Sequence, residues 1–170
     1  MSGSTVRLRA WILGFKWLHE KARRGTLAPG EEEAYREARE DLAAMLVAAQ
    51  RLTLGEGEVA RGAVRVVRGL PFELRLAAGT VRGRTLDVSE GGFSAVLAPA
   101  PRRGEAVAVT LTLASGDLNG QARVMSVVDQ DVEFRVSFRL EELPAEAIVR
   151  LRSEVLDAAL EQLANLIEQS

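Results

Sequence analysis

The apolar pattern of this chain changes period near residue 55, and that change limits its fold more than any other feature. Upstream, Leu8, Trp11, Phe15, Leu18 and Ala22 recur at three- and four-residue steps, the spacing of one helix face. Gly25, Pro29 and Gly30 interrupt it, and a second helix begins in the acidic run 31–33, where negative charge suits the positive end of a helix dipole. Its stripe of Tyr35, Ala38, Leu42, Met45, Ala49 and Leu52 alternates three and four as a coiled-coil seam does. The short connection predicts an antiparallel hairpin.

Gly55, Glu56, Gly57 and Glu58 then form a flexible joint, and from Val64 onward short β-type runs are punctuated by glycine and proline. They predict strands near 70–77, 80–87, 93–97, 106–113, 120–128 and 132–140, with hairpin turns at Gly79 and within 116–120. Pro99, Pro101 and Gly104 mark a longer connection. Six short antiparallel strands close more readily into a small barrel than they persist as an open sheet, because closure removes exposed edges. After Pro144, the stripe Ile148, Leu151, Val155, Leu156, Ala159, Leu163 and Leu166 predicts a closing helix. The expected class is α+β: a six-stranded antiparallel β-barrel with a C-terminal helix and an N-terminal helical hairpin, divided into domains 1–58 and 59–170.

Composition removes several chemistries. The 170 residues hold no cysteine, which excludes disulfides, thiolate catalysis and cysteine-ligated metals. His19 is the only histidine, so a histidine triad or multi-histidine metal site cannot form within one chain. It is read as a structural or surface residue, partly exposed beside Trp17. The acidic run 31–33 spreads its carboxylates over successive helix faces, a poor geometry for chelation. The chain is therefore expected to be no enzyme and to hold no metal and no cofactor.

Lys and Arg number 22 against 24 Asp and Glu, so the net charge of −2 exerts no global pull on nucleic acid or anionic lipid, and anion binding must be local. The apolar run 43–49 is too short to span a bilayer, and residues 11–15 lack the length of a signal-peptide core. No membrane insertion and a cytoplasmic location are expected.

Positive charge gathers between residues 61 and 93, where Arg61, Arg65, Arg68, Arg75, Arg82 and Arg84 face only Glu73, Asp87 and Glu90. Arg61 and Arg65 spell R-x-x-x-R after the joint, and residues 87–92 spell D-x-S-x-x-G. A guanidinium presents a planar fork of donors for phosphate oxygens or the guanine O6/N7 edge, and it stacks on a purine face. A carboxylate such as Asp87 accepts from guanine N1 and N2, and the Ser89 hydroxyl donates or accepts beside it. Gly91 and Gly92 permit positive φ and close approach where a side chain would meet the base. Arg82 and Arg84 alternate along a strand and are read as an exposed face.

In order, spacing and strand context the two motifs resemble the PilZ domain, a small β-barrel that in its family binds the bacterial second messenger cyclic diguanylate (c-di-GMP). The likeness runs from about Arg61 to Leu140 and includes the closing helix. The entry Arg65 to Phe72 and the late-strand residues Gly120, Ala122, Val124, Arg135, Val136 and Phe138 share it, while Gly62 stands where many relatives carry another arginine. The resemblance implies that Arg61 and Arg65 take phosphates and guanine faces, and that Asp87, Ser89 and Gly92 make the other guanine contacts. It implies a receptor that signals through protein contacts, in which the loop 55–65 is mobile when empty and closes over the ligand. The hairpin would be the output element or a self-association element. A barrel acting through protein contacts without nucleotide is the alternative. Nucleic acid is not expected as a partner, since the chain is acidic and aromatic stacking platforms are few.

Overall fold

A computed structural model describes residues 3–52 and 64–168, which fall into two compact units, one built on residues up to 64 together with those from 159 onward, the other on 65–158. The expected joint 55–58 and Arg61 lie outside the described residues.

The first unit holds helices α1 (Gly3–Arg23) and α2 (Pro29–Leu52). They are antiparallel: Lys21 pairs with Glu31, while Phe15 and His19 further back on α1 meet Tyr35 further along α2. The turn is written in local chemistry. Gly25 adopts φ +67°, and the bonds from Gly25 N to Ala22 O and from Thr26 N to Lys21 O complete a Schellman cap. Pro29 occupies the first helical position, and the Glu31 carboxylate reaches back to accept from Ala28 N at 2.9 Å. The Lys21 ammonium and this Ala28 N–H together hold the Glu31 carboxyl below its ordinary value.

The inward stripes differ from expectation in two places. On α1, Ile12 and Phe15 are buried and Leu8 is exposed; His19 is buried as well and bonds Tyr35 Oη through Nδ1, so it is structural rather than partly exposed. On α2 the stripe is Tyr35, Ala38, Leu42 and Leu46, leaving Met45 and Ala49 exposed. At 100° per residue Leu46 lies only about 20° around the helix from Tyr35 and Met45 about 80°, so Leu46 takes the inward place and Met45 the outward one.

The second unit is one antiparallel sheet with strands β1 (Arg65–Val67), β2 (Pro71–Leu76), β3 (Gly79–Arg84), β4 (Asp87–Ser89), β5 (Gly92–Leu97), β6 (Ala106–Leu113), β7 (Gly116–Asp129) and β8 (Phe134–Glu141). Their order is β1-β4-β5-β8-β7-β6-β2-β3. Eight strands replace the six expected because one long hairpin is bent in the middle. β1 pairs with β4 and β2 with β3, and between them Arg68 N bonds Leu86 O and Thr85 N bonds Leu70 O. The Thr85 hydroxyl accepts from Leu70 N and donates to Arg68 O, which pins the bend. One half of this hairpin extends the β5 side of the sheet and the other half the β6 side. Since three residues at most separate the halves, the two ends of the sheet lie close together and the sheet curls into the barrel-like form expected.

Loop positions shift slightly. The β6–β7 turn is Ala114 and Ser115, ahead of the predicted 116–120, and Gly116 (φ +115°) already begins β7. Inside the curl, alternate strand residues form the core: Phe93 stacks on Phe138 at 4.8 Å between ring centroids, with Phe72 tilted against Phe93. Helix α3 (Ala145–Glu168) begins after Pro144, and within this unit it buries Leu151, Val155 and Leu156.

Candidate functional site

The β1–β4 ladder brings the two sequence motifs together. Its register sets Arg65 opposite Ser89, Val66 opposite Val88 and Val67 opposite Asp87. Side chains alternate across a sheet, so Val66 and Val88 enter the core while Arg65, Asp87 and Ser89 share the opposite face. A slip of one residue would turn the charges inward, so burial of the two valines fixes the polar constellation. Arg65 was expected on a mobile loop. It sits instead in β1, its backbone fixed by the ladder, because Val66 needs a place in the core.

Asp87 is 8% exposed and held between two guanidiniums. Arg135 Nη2 donates to Asp87 Oδ2 at 3.1 Å. Arg65 Nη1 lies 3.1 Å from Asp87 Oδ1, an ionic contact outside hydrogen-bonding angles, so Oδ1 accepts no hydrogen bond among the described residues. Arg135 was not singled out from the sequence as a site residue. It comes from β8, two strands away, and reaches across Ser94, which sits opposite both Asp87 and Ser137 and is wholly buried. The Ser94 Oγ has no hydrogen-bond partner among the described residues. The sequence marks Arg135 only as one of the late-strand residues that share the family resemblance; its strand parity with Ser137 carries meaning once the β5–β8 pairing is known.

Ser89 organises the turn into β5. Its Oγ accepts from Gly91 N and donates to Gly92 O, both at 3.3 Å. Neither Gly91 nor Gly92 has a positive φ, contrary to expectation. Glycine is required at 92 for another reason: a Cβ there would stand 2.1 Å from the carbonyl oxygen of Phe138. The close approach is therefore between β5 and β8, whatever else the glycine admits.

Further along the same face, Arg139 lies opposite Gly92 and Arg123 opposite Arg139. Glu141 receives Arg123 in a two-bond fork at 2.8 and 3.1 Å and Arg139 at 2.9 Å. Those bonds, Arg123 first, lower the Glu141 carboxyl to about 2. Four guanidiniums, Arg65, Arg123, Arg135 and Arg139, thus meet two carboxylates, leaving a surplus of positive charge suited to an anion. Arg82 and Arg84 stay on edge strand β3, where Arg82 pairs with Glu73 and Arg84 donates to Gly69 O.

Both motif segments are also tied to α3. Arg152 Nε bonds Glu90 Oε2 at 2.8 Å, in the turn after Ser89. Arg68, just past β1, lies 3.6 Å from the buried Glu154, which also accepts from Ala114 N. Among the described residues no cluster of three or more His, Asp or Glu could hold a metal, and no helix is long and apolar enough to cross a membrane.

Comparison with known proteins agrees with this fold. The sequence profile described as PilZ domain matches residues 60–157, more than half of the chain. The chain belongs to the PilZ family. The fold is that of solved PilZ structures. The PilZ domain of YcgR from Escherichia coli, solved with c-di-GMP, superposes with a TM-score of 0.53 at 20% identity, covering 64% of this chain and 98% of that one. The Bacillus subtilis inhibitor of motility MotI (DgrA) gives 0.56 at 18%, over 62% of this chain and 54% of that one. The MrkH–c-di-GMP complex from K. pneumonia gives 0.53 at 18%, over 62% and 54%. This PilZ chain therefore spans only about half the length of MotI and MrkH. No curated protein sequence matches it.

Proposed function

We propose that this PilZ protein is a non-enzymatic c-di-GMP receptor whose ligand lies on the outward face of β1, β4 and β5. The observation that carries the reading is the buried Asp87 carboxylate, set between Arg65 and Arg135 with Ser89 beside it; its Oδ1 is buried against Arg65 without a hydrogen bond among the described residues, and a ligand meets it when the Arg65 side chain turns away to a phosphate. In this reading Asp87 and Ser89 take the guanine edge, Gly92 leaves room at the turn, and Arg65 takes a phosphate or a purine face. Arg61 supplies the second guanidinium. Charge-assisted hydrogen bonds contribute about 1.5–3 kcal/mol each, and four or five suffice for micromolar binding at about −8 kcal/mol net.

The proposed response is closure of the segment carrying Arg61 over the nucleotide while Arg65 remains in its strand. Only contacts stronger in the closed state can drive it. The Arg152–Glu90 and Arg68–Glu154 pairs make α3 the element that registers a shift of either motif, with the output passed on through protein contacts in the cytoplasm. The division at residues 58 and 59 belongs to the same proposal.

Titration calorimetry of the purified chain tests it. c-di-GMP is expected to bind at micromolar concentration or below and to resist competition by an oligonucleotide, whereas an oligonucleotide that displaces it equally would make the face a general polyanion site.

A further inference from the structure

The hairpin carries two outward faces that no element of its own unit is seen to cover, and they complement each other. On α1, Val6, Ala10, Leu13 and Trp17 form an exposed stripe at four-, three- and four-residue steps, with Leu13 57% and Trp17 56% exposed. Cations border it on both sides, Arg9 and Lys16 along one edge and Arg7 and Lys21 along the other, and Lys21 Nζ lies 4.5 Å from the Trp17 ring centroid. On α2, the exposed face is acidic in its first half, with Glu33, Glu37, Glu40 and Asp41, and apolar in its second, with Ala44, Met45 and Ala48.

We infer that α1 of one copy docks along α2 of a second copy of this chain. Charge points there: an apolar stripe flanked by cations meets an apolar patch that continues into carboxylates. Running antiparallel, the basic C-terminal half of α1 falls on the acidic N-terminal half of α2, and Val6, Ala10 and Leu13 fall on Ala44, Met45 and Ala48. The same sense of pairing already joins the helices within the chain, where Lys21 meets Glu31. Pairing of α1 with α1 would set like charges together. A lipid surface would use the α1 stripe and leave the α2 face without a role. At 100° per residue the α1 stripe lies roughly opposite Phe15, and the α2 face roughly opposite Tyr35, so the two faces point away from each other. The contact is therefore head-to-tail. It stands whether or not the barrel takes a nucleotide.

The test is sedimentation of the full chain over a concentration series. The parent is expected to gain mass with concentration and to lose it with salt. Lys16→Glu and Glu37→Lys, both at exposed positions and facing each other in this register, are each expected to raise the concentration needed for association several-fold, to about tenfold. Mixing the two variants is expected to restore it, since each then meets its opposite charge. Circular dichroism of each variant checks that it is folded. A parent that stays monomeric, variants that associate like the parent, or a mixture that stays apart would overturn the proposal. So would a monomer that binds vesicles of anionic phosphatidylglycerol through α1.

Discussion

Arg135 donates from β8 to the carboxylate of Asp87, 48 positions upstream in the chain and two strands away in the sheet. The bond occupies Oδ2, while the buried Oδ1 stays in ionic contact with Arg65 and has no hydrogen bond among the described residues. Arg135 is thereby a positioning residue for the acceptor on which the proposed guanine contact depends.

Arg135→Ala is expected to weaken c-di-GMP binding by about three- to tenfold and to cost about 1 kcal/mol of stability, since the pair is part-exposed and partly screened. Calorimetry with a parallel denaturant curve measures both. Tighter binding in the variant would show that Arg135 competes with the ligand instead.

The two glycines of the turn separate packing from binding. Gly92→Ala drives a Cβ into the Phe138 carbonyl and should cost about 2–3 kcal/mol, whereas Gly91→Ala meets nothing within 4 Å and should be near neutral. Urea denaturation of both variants checks this, and equal stabilities would refute the crowding.

Ser94→Ala removes a buried hydroxyl that has no partner among the described residues, so the unliganded protein should gain about 1 kcal/mol. A loss measured by thermal unfolding would mean that the hydroxyl is satisfied by solvent or by a segment outside the described residues.

Glu141 provides a pH signature. Its folded carboxyl is lowered to about 2 from an ordinary 4.5, so its contribution to stability is present above the unfolded value and is lost as pH falls from about 4.5 toward 2. Thermal unfolding across that window should lose less stability in Glu141→Gln than in the parent. Identical profiles would place the acid sensitivity elsewhere.

Much of the fold is legible along the chain because its periods are long enough to read. Twenty-odd residues of helix spacing mark α1 and α2, and strict alternation over eight residues marks β6 at its observed bounds. β1 and β4 are not legible: three residues show no alternation, and their pairing exists because a threonine hydroxyl pins a bend. For the same reason the R-x-x-x-R and D-x-S-x-x-G motifs can be read singly, while the ladder that sets Arg65 beside Ser89 cannot. Arg135 is hidden by sequence distance, and the requirement at Gly92 by the identity of the strand that crowds it.

The most direct test is a calorimetric double-mutant cycle with c-di-GMP on the parent, Arg65→Ala, Asp87→Ala and the double variant, each first shown to be folded. Each single change should weaken binding at least about tenfold, and the double should weaken it by less than the product, because the two side chains touch each other and one ligand. A folded single variant that binds as tightly as the parent would contradict the site.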